Sequence, residues 1–119
     1  MACGVTEVNI CRTRGDTAPF TITITDGTNA IDVTGYTFKL SVDPEVDPAA
    51  ATNNLFSLTN GSGITLSDPT NGVITVSLTS VQADQTPEVY FYDLQWTDGS
   101  GFVRTILKGQ WEFVQDIAK

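Results

Sequence analysis

The chain of 119 residues carries 14 acidic and 6 basic side chains and no histidine, a formal net charge of −8. Six cations cannot build the basic stripe that phosphate neutralisation requires, which argues against a nucleic-acid partner, and a chain without imidazole has neither a Ser-His-Asp triad nor a Cys-His pair. With 40% apolar and 17% charged residues the chain reads as one domain that can bury a core unaided, and its 18 threonines favour extended backbone.

In chain order, residues 1–14 read as a partly free N-terminal arm, because Val5, Val8 and Ile10 hold no strict period, and residues 15–119 as the folded domain. The arm lacks the basic start of a secretion signal and carries Glu7 where an apolar stretch would be needed, so the protein is expected to be made and kept in a cytoplasm. In that setting Cys3 and Cys11 are expected as reduced thiols, and two cysteines are too few for a thiolate zinc site. No window approaches the roughly 18 consecutive apolar residues of a membrane span.

Residues 19–26 alternate, with Phe20, Ile22 and Ile24 on one face and Thr21, Thr23 and Thr25 on the other, the period of a half-buried strand. Residues 35–42 repeat the pattern with Tyr36, Phe38, Leu40 and Val42 inward, and the two segments are expected to be neighbouring antiparallel strands. Residues 43–54 form a breaker-rich surface loop. Short strands follow at 55–58, 64–66 and 72–78, separated by Asn60-Gly61-Ser62-Gly63 and Ser67-Asp68-Pro69-Thr70-Asn71-Gly72. Residues 79–86 suit a single helical or 3₁₀ turn. Residues 88–97, apolar on both faces, suit a central strand, and Asp98-Gly99-Ser100-Gly101 turns it into a partner strand in which Gly109 is expected to form a bulge. Seven to nine short strands with regular turns predict an all-β, two-sheet antiparallel sandwich.

Several constellations invite a chemical reading. Arg14-Gly15-Asp16 matches an integrin-binding tripeptide, but a glycine that bends the chain into the first core strand while Arg14 or Asp16 pairs locally explains it as well. Asp43, Glu45 and Asp47 alternate like the first ligands of a calcium loop, yet the sixth and twelfth positions are Pro48 and Asn54 instead of glycine and glutamate, so a solvated acidic loop is expected. Arg104, in an apolar strand, is expected to pair with Asp93 across the sheet or with a neighbouring subunit. Tyr36, Tyr90, Trp96 and Trp111 could form a sugar-binding platform, but their phase favours the core. Tyr90 and Tyr92 lie where the corner tyrosine of an immunoglobulin domain ties its hydroxyl to upstream backbone. Nothing brings carboxylates such as Asp93 and Glu112 together for glycoside hydrolysis, and no enzyme, cofactor, metal or small-molecule substrate is expected.

Arg14-Gly15-Asp16-Thr17 before Phe20-x-Ile22-x-Ile24, Ile31-Asp32-Val33-Thr34-Gly35-Tyr36-Thr37-Phe38, Asn71-Gly72-Val73-Ile74, Tyr90-x-Tyr92-Asp93-Leu94-Gln95 and Gly101-x-x-Arg104-Thr105-x-x-x-Gly109-x-Trp111 together resemble the N-terminal domain of phage baseplate upper proteins and related tail proteins. The resemblance runs over residues 14–116. It implies an immunoglobulin-like module in the virion of a tailed phage, made in the host cytoplasm, with other virion proteins and further copies of itself as partners and no membrane contact. Those baseplate proteins continue into receptor-facing regions that this sequence does not include, so docking, adaptor or decorating work in the tail or baseplate is expected. A capsid decoration protein is the alternative within this class, and a carbohydrate-binding module or adhesin the alternative outside it.

Overall fold

In a computed structural model of the chain, which describes residues 6–26, 28–44 and 55–117, the alternating segments become nine β-strands: β1 Thr6–Glu7, β2 Ile10–Thr13, β3 Phe20–Thr23, β4 Thr37–Asp43, β5 Phe56–Asn60, β6 Gly63–Asp68, β7 Val73–Val76, β8 Val89–Thr97 and β9 Val103–Val114. A short helix α1, Ser80–Ala83, precedes β8. The strands follow one hydrogen-bonded path, β1-β9-β8-β4-β5-β6-β7-β3, with β2 also on β9. The path curls at the turn between β5 and β6, where Thr59 and Asn60 meet Gly63 and Ile64. One layer therefore holds β1, β2, β9, β8, β4 and β5, the other β6, β7 and β3. The fold is an all-β, immunoglobulin-like sandwich.

The inward phase of each strand builds the core. Phe38, Leu40 and Val42 of β4, Leu94 of β8, Trp111 of β9, Ile64 of β6 and Ile74 and Val76 of β7 are fully buried. Trp111 joins the layers: its ring lies 6.0 Å from Phe20 of β3, 6.0 Å from Phe56 of β5 and 5.9 Å from Tyr92 of β8. The central place expected for β8 holds, since it pairs with β4 on one side and β9 on the other. The start of β4 is fixed by Asn60, whose Oδ1 accepts from the Phe38 amide at 2.8 Å while its Nδ2 donates to the Tyr36 carbonyl at 2.9 Å.

Local turn chemistry follows the sequence. Thr79 and Gln82 cap α1 reciprocally, each side chain accepting from the other's amide. Asp98 Oδ1 accepts from the amides of Ser100 and Phe102 and closes the β8–β9 hairpin. Gly72 takes φ 71°, and a Cβ there would strike the carbonyls of Ile24 and Ile31.

Three expectations fail. The strands around Phe20–Thr23 and Thr37–Asp43 are not neighbours: β3 pairs with β7 and β4 with β5 and β8, in opposite layers. A period of two says which side chains are buried but not which strand lies alongside. The supposedly free arm is tied down over its described part, β1 and β2 running parallel to β9 with Ile10 opposite Trp111 and Arg12 opposite Phe113. The sandwich is therefore mixed, and not wholly antiparallel. Gly109 is not a bulge; it pairs in register with Tyr92, and the register shift lies at Ile106, where Leu94 faces Leu107 but Gln95 faces Thr105. Gly109 instead lets the chain at Val8 approach closely, because a Cβ at 109 would overlap the Val8 carbonyl.

Candidate interaction site

The two layers end unevenly on one side. Among the described residues β3 is the last strand of its layer and pairs only with β7, while β9, β1 and β2 extend the facing layer. Ile24 donates its amide to the Gly72 carbonyl at 2.8 Å, so Ile24, Ile22 and Phe20 turn their backbone groups toward β7. The N–H and C=O of Thr21 and Thr23 consequently point the other way, along an open edge. Natural edge strands are commonly guarded by lysine, proline or a bulge. Phe-Thr-Ile-Thr-Ile-Thr at 20–25 contains no charge and no proline.

Between this edge and the facing layer runs a groove of 330 Å³, its floor and walls formed by Val8, Ile10, Phe20, Ile22, Ile106 and Leu107. Two side chains hold the far wall in place. Tyr92, across β9 at the side-chain-free position of Gly109, donates its hydroxyl to the Val8 carbonyl at 2.6 Å. Burial pushes that hydroxyl from its ordinary 10 up to about 12. Arg12 lies with its guanidinium 4.9 Å from the centre of the Phe20 ring and donates from Nη2 to the Ala18 carbonyl at 2.5 Å, bridging β2 to the approach of β3. Its Nε is buried without a hydrogen-bond partner among the described residues. Asn9, between Val8 and Ile10, ties this segment to β9, its Oδ1 accepting from the Gln110 amide at 3.1 Å.

The residues singled out from the sequence do not gather here. Arg14 and Gly15 form a turn, with the Arg14 amide on the Val114 carbonyl and the Gly15 amide on the Ala83 carbonyl. Arg14 Nε and Nη2 both lie 2.8 Å from Asp84 Oδ1, so the arginine of the tripeptide is engaged locally, and Asp16 is exposed at the surface. Asp43 is buried at the end of β4, which corrects the expectation of a solvated position; Glu45 and Asp47 lie outside the described residues. Arg104 does not face Asp93. The register shift at Ile106 sets Arg104 opposite Trp96 and Asp93 opposite Lys108, on opposite faces of the sheet. Asp93 itself is half-buried; desolvation raises its pKa, and nearby Lys39 partly offsets this.

Trp111 and Trp96 are buried, and Tyr36 stands edge-on to Trp96 with centroids 5.0 Å apart, so these rings form no exposed platform. Tyr90 behaves as a corner tyrosine, donating its hydroxyl to the Thr86 carbonyl four residues upstream at 2.8 Å. Cys11 is a free, exposed thiol, and Cys3 lies outside the described residues. Among the described residues no three histidine, cysteine or acidic side chains gather as a metal site. What the sequence reading missed is the open edge of Thr21 and Thr23 and the wall that Arg12 and Tyr92 support; the available signal was a strand without a guarding residue.

No family model matches the sequence, and no curated protein matches it. Among solved structures the chain is similar to CopC from Methylosinus trichosporium OB3b, at 6% identity and a TM-score of 0.51, with 93% of this chain and 88% of that chain covered. At that identity the likeness concerns the fold alone.

Proposed function

We propose that this protein is a structural component of a tailed-phage particle, a rigid sandwich that joins neighbouring subunits of the tail or baseplate and performs no chemistry. The observation that carries the reading is the unguarded edge of β3 beside an apolar groove. Such an edge offers main-chain hydrogen bonds for strand addition, and the groove beside it offers positions for alternate side chains. The motifs that resemble baseplate upper proteins support it in a second way. Gly15, Gly72 and Gly109 stand at turns and close approaches that set this fold. The net charge of −8 suits a subunit that stays dispersed before assembly.

The test is to locate the chain by cryo-electron microscopy and mass spectrometry of purified particles from cells that make it. Density for the sandwich at a subunit junction of the tail or baseplate is the expected result. Density on the head shell would assign the decoration role instead, and absence from particles would overturn the reading.

A further inference from the structure

The loop that joins β8 to β9 holds an aromatic side chain out in solvent. Asp98 pins this loop: its Oδ1 accepts from the amides of Ser100 and Phe102, its carbonyl accepts from the Gly101 amide at 3.0 Å, and its own amide donates to the Phe102 carbonyl at 2.9 Å. Phe102 is nevertheless 72% exposed, the only aromatic among the exposed large apolar side chains of the described residues, and Val103 beside it is 61% exposed. A loop tied this firmly presents those groups in a fixed arrangement instead of folding them away. Arg104 follows, exposed and in no ion pair among the described residues. The twelve residues of β9 span about 40 Å when extended, against 42 Å for the longest extent of the molecule, so this tip stands at one end. A ring with an arginine close by is a composition enriched at protein interfaces.

The chain also carries the complement of this tip. The groove beside β3 holds 330 Å³, about twice the roughly 150 Å³ in which an apolar cavity takes up benzene, so there is room for the Phe102 ring and the Val103 side chain. Ile22, Ile106 and Leu107 make it aliphatic, and the Tyr92 hydroxyl within it is already held by Val8, so a small polar molecule finds little to orient it. Charge fits as well. At the end lined by Ile24 and Thr25 stands Asp26, exposed, in no ion pair among the described residues, its carboxylate accepting from the amides of Thr28 and Asn29 at 3.0 and 2.8 Å. Glu7 adjoins Val8 on the far wall and faces Lys108 across the strands. The opposite end is basic, with Arg12 over Phe20. An incoming cation is therefore drawn to the Asp26 end and repelled from the other.

We propose that Phe102 and Val103 of one copy seat in the groove beside β3 of another, with Arg104 against Asp26. The two patches lie on different parts of the chain, so the contact either closes reciprocally in a pair or runs on from copy to copy. It is made by side chains, because the Phe102 amide and carbonyl are both taken by Asp98. Two or three side chains in one groove bury less than the roughly 1,200 Å² at which standard interfaces begin, so a single contact is weak and gains strength by repetition in an array. The inference rests on the assembly reading above and gives it a contact between identical subunits.

Phe102→benzoylphenylalanine in the otherwise unaltered chain puts a photoreactive ring at the tip. Irradiation of a mixture of light and heavy-isotope chains is expected to give mixed covalent dimers, with the cross-link at residues 8–10, 20–25 or 106–107 of the second copy. Sedimentation velocity over a hundredfold concentration range reaching about 1 mM is expected to show association of the unaltered chain. Phe102→Ala is expected to weaken it at least tenfold, and Arg104→Glu several-fold, with what remains less sensitive to salt. Ile106→Glu fills the groove with a charge and keeps the tip; it is expected to be monomeric alone and to pair one-to-one with Phe102→Ala, which keeps the groove. Should Ile106→Glu fail to fold, the position of the cross-link decides. A monomeric unaltered chain, undiminished association of Phe102→Ala, or a cross-link that is absent, lies elsewhere or stays within one copy would overturn the proposal. A chain found in particles but without this cross-link ends this inference and leaves the assembly role standing; a chain absent from particles that still cross-links through the groove does the reverse.

Discussion

β8 and β3 are both alternating apolar strands, but they experience different surroundings. β8 is paired along both sides, and its Leu94 is sealed from solvent; β3 is paired on one side, and its Ile22 is half-buried beside a groove. The contrast shows that a periodic pattern sets how a strand turns its side chains, while its place in the path decides whether its backbone is satisfied.

The sharpest way to break this comparison is to truncate one side chain on each strand. Leu94→Ala is expected to destabilise by about 2 to 5 kcal/mol in chemical unfolding, with Phe38→Ala similar, because both sites are closed on every side. Ile22→Ala should lose clearly less, and an equal loss would mean that the groove is closed in solution. Next in size, Gly109→Ala is expected to destabilise by roughly 1 to 3 kcal/mol, since its methyl group would occupy the position of the Val8 carbonyl. Hydrogen exchange should then show the Val8 amide, which donates to Lys108 at 2.9 Å, losing protection before the centre of β8 does.

Tyr92→Phe should follow, at about 1 to 2 kcal/mol, because it leaves the Val8 carbonyl without its donor. This loss carries a pH signature. The folded-state pKa of about 12 lies above the unfolded value near 10, so the contribution is complete below pH 10 and disappears as pH rises through 12. Melting temperatures of the two proteins should therefore converge over that interval. Arg14→Ala is expected to change stability by less than about 1 kcal/mol, its ion pair with Asp84 being largely solvated. Smallest is Asp93→Asn, expected to raise the melting temperature slightly at pH 7. Desolvation lifts the Asp93 pKa above 3.8, so folding favours its protonated form, and the gain should vanish when the pH falls below 3.8.

Much of the fold was legible in the sequence. Alternation alone assigned Phe38, Leu40, Val42, Leu94 and Trp96 to the core, and turn chemistry placed the 98–101 hairpin, the short helix after Thr79 and the tie of Tyr90 to upstream backbone. The misses share a cause, since each depends on a long-range neighbour. β3 and β4 are adjacent in sequence and similar in pattern, but the partner of β3 is β7, some fifty residues later. The fate of Arg104 depended on one inserted residue at Ile106, without which it would have shared a face with Asp93. Parallel pairing of β1 and β2 with β9 left no local mark, because the glycine that permits it belongs to β9. The open edge was written in Phe-Thr-Ile-Thr-Ile-Thr as the lack of a guarding residue, and became visible once the partners of β3 were known.

The placement of Trp111 gives the molecule a built-in optical gauge. Its indole sits buried among Phe20, Tyr92 and Phe113, and its Nε1 hydrogen meets no acceptor among the described residues. Emission from it should be blue and fed by energy transfer from Tyr92. After Trp96→Phe silences the other indole, any loosening between the layers should register as a red shift before the protein as a whole melts.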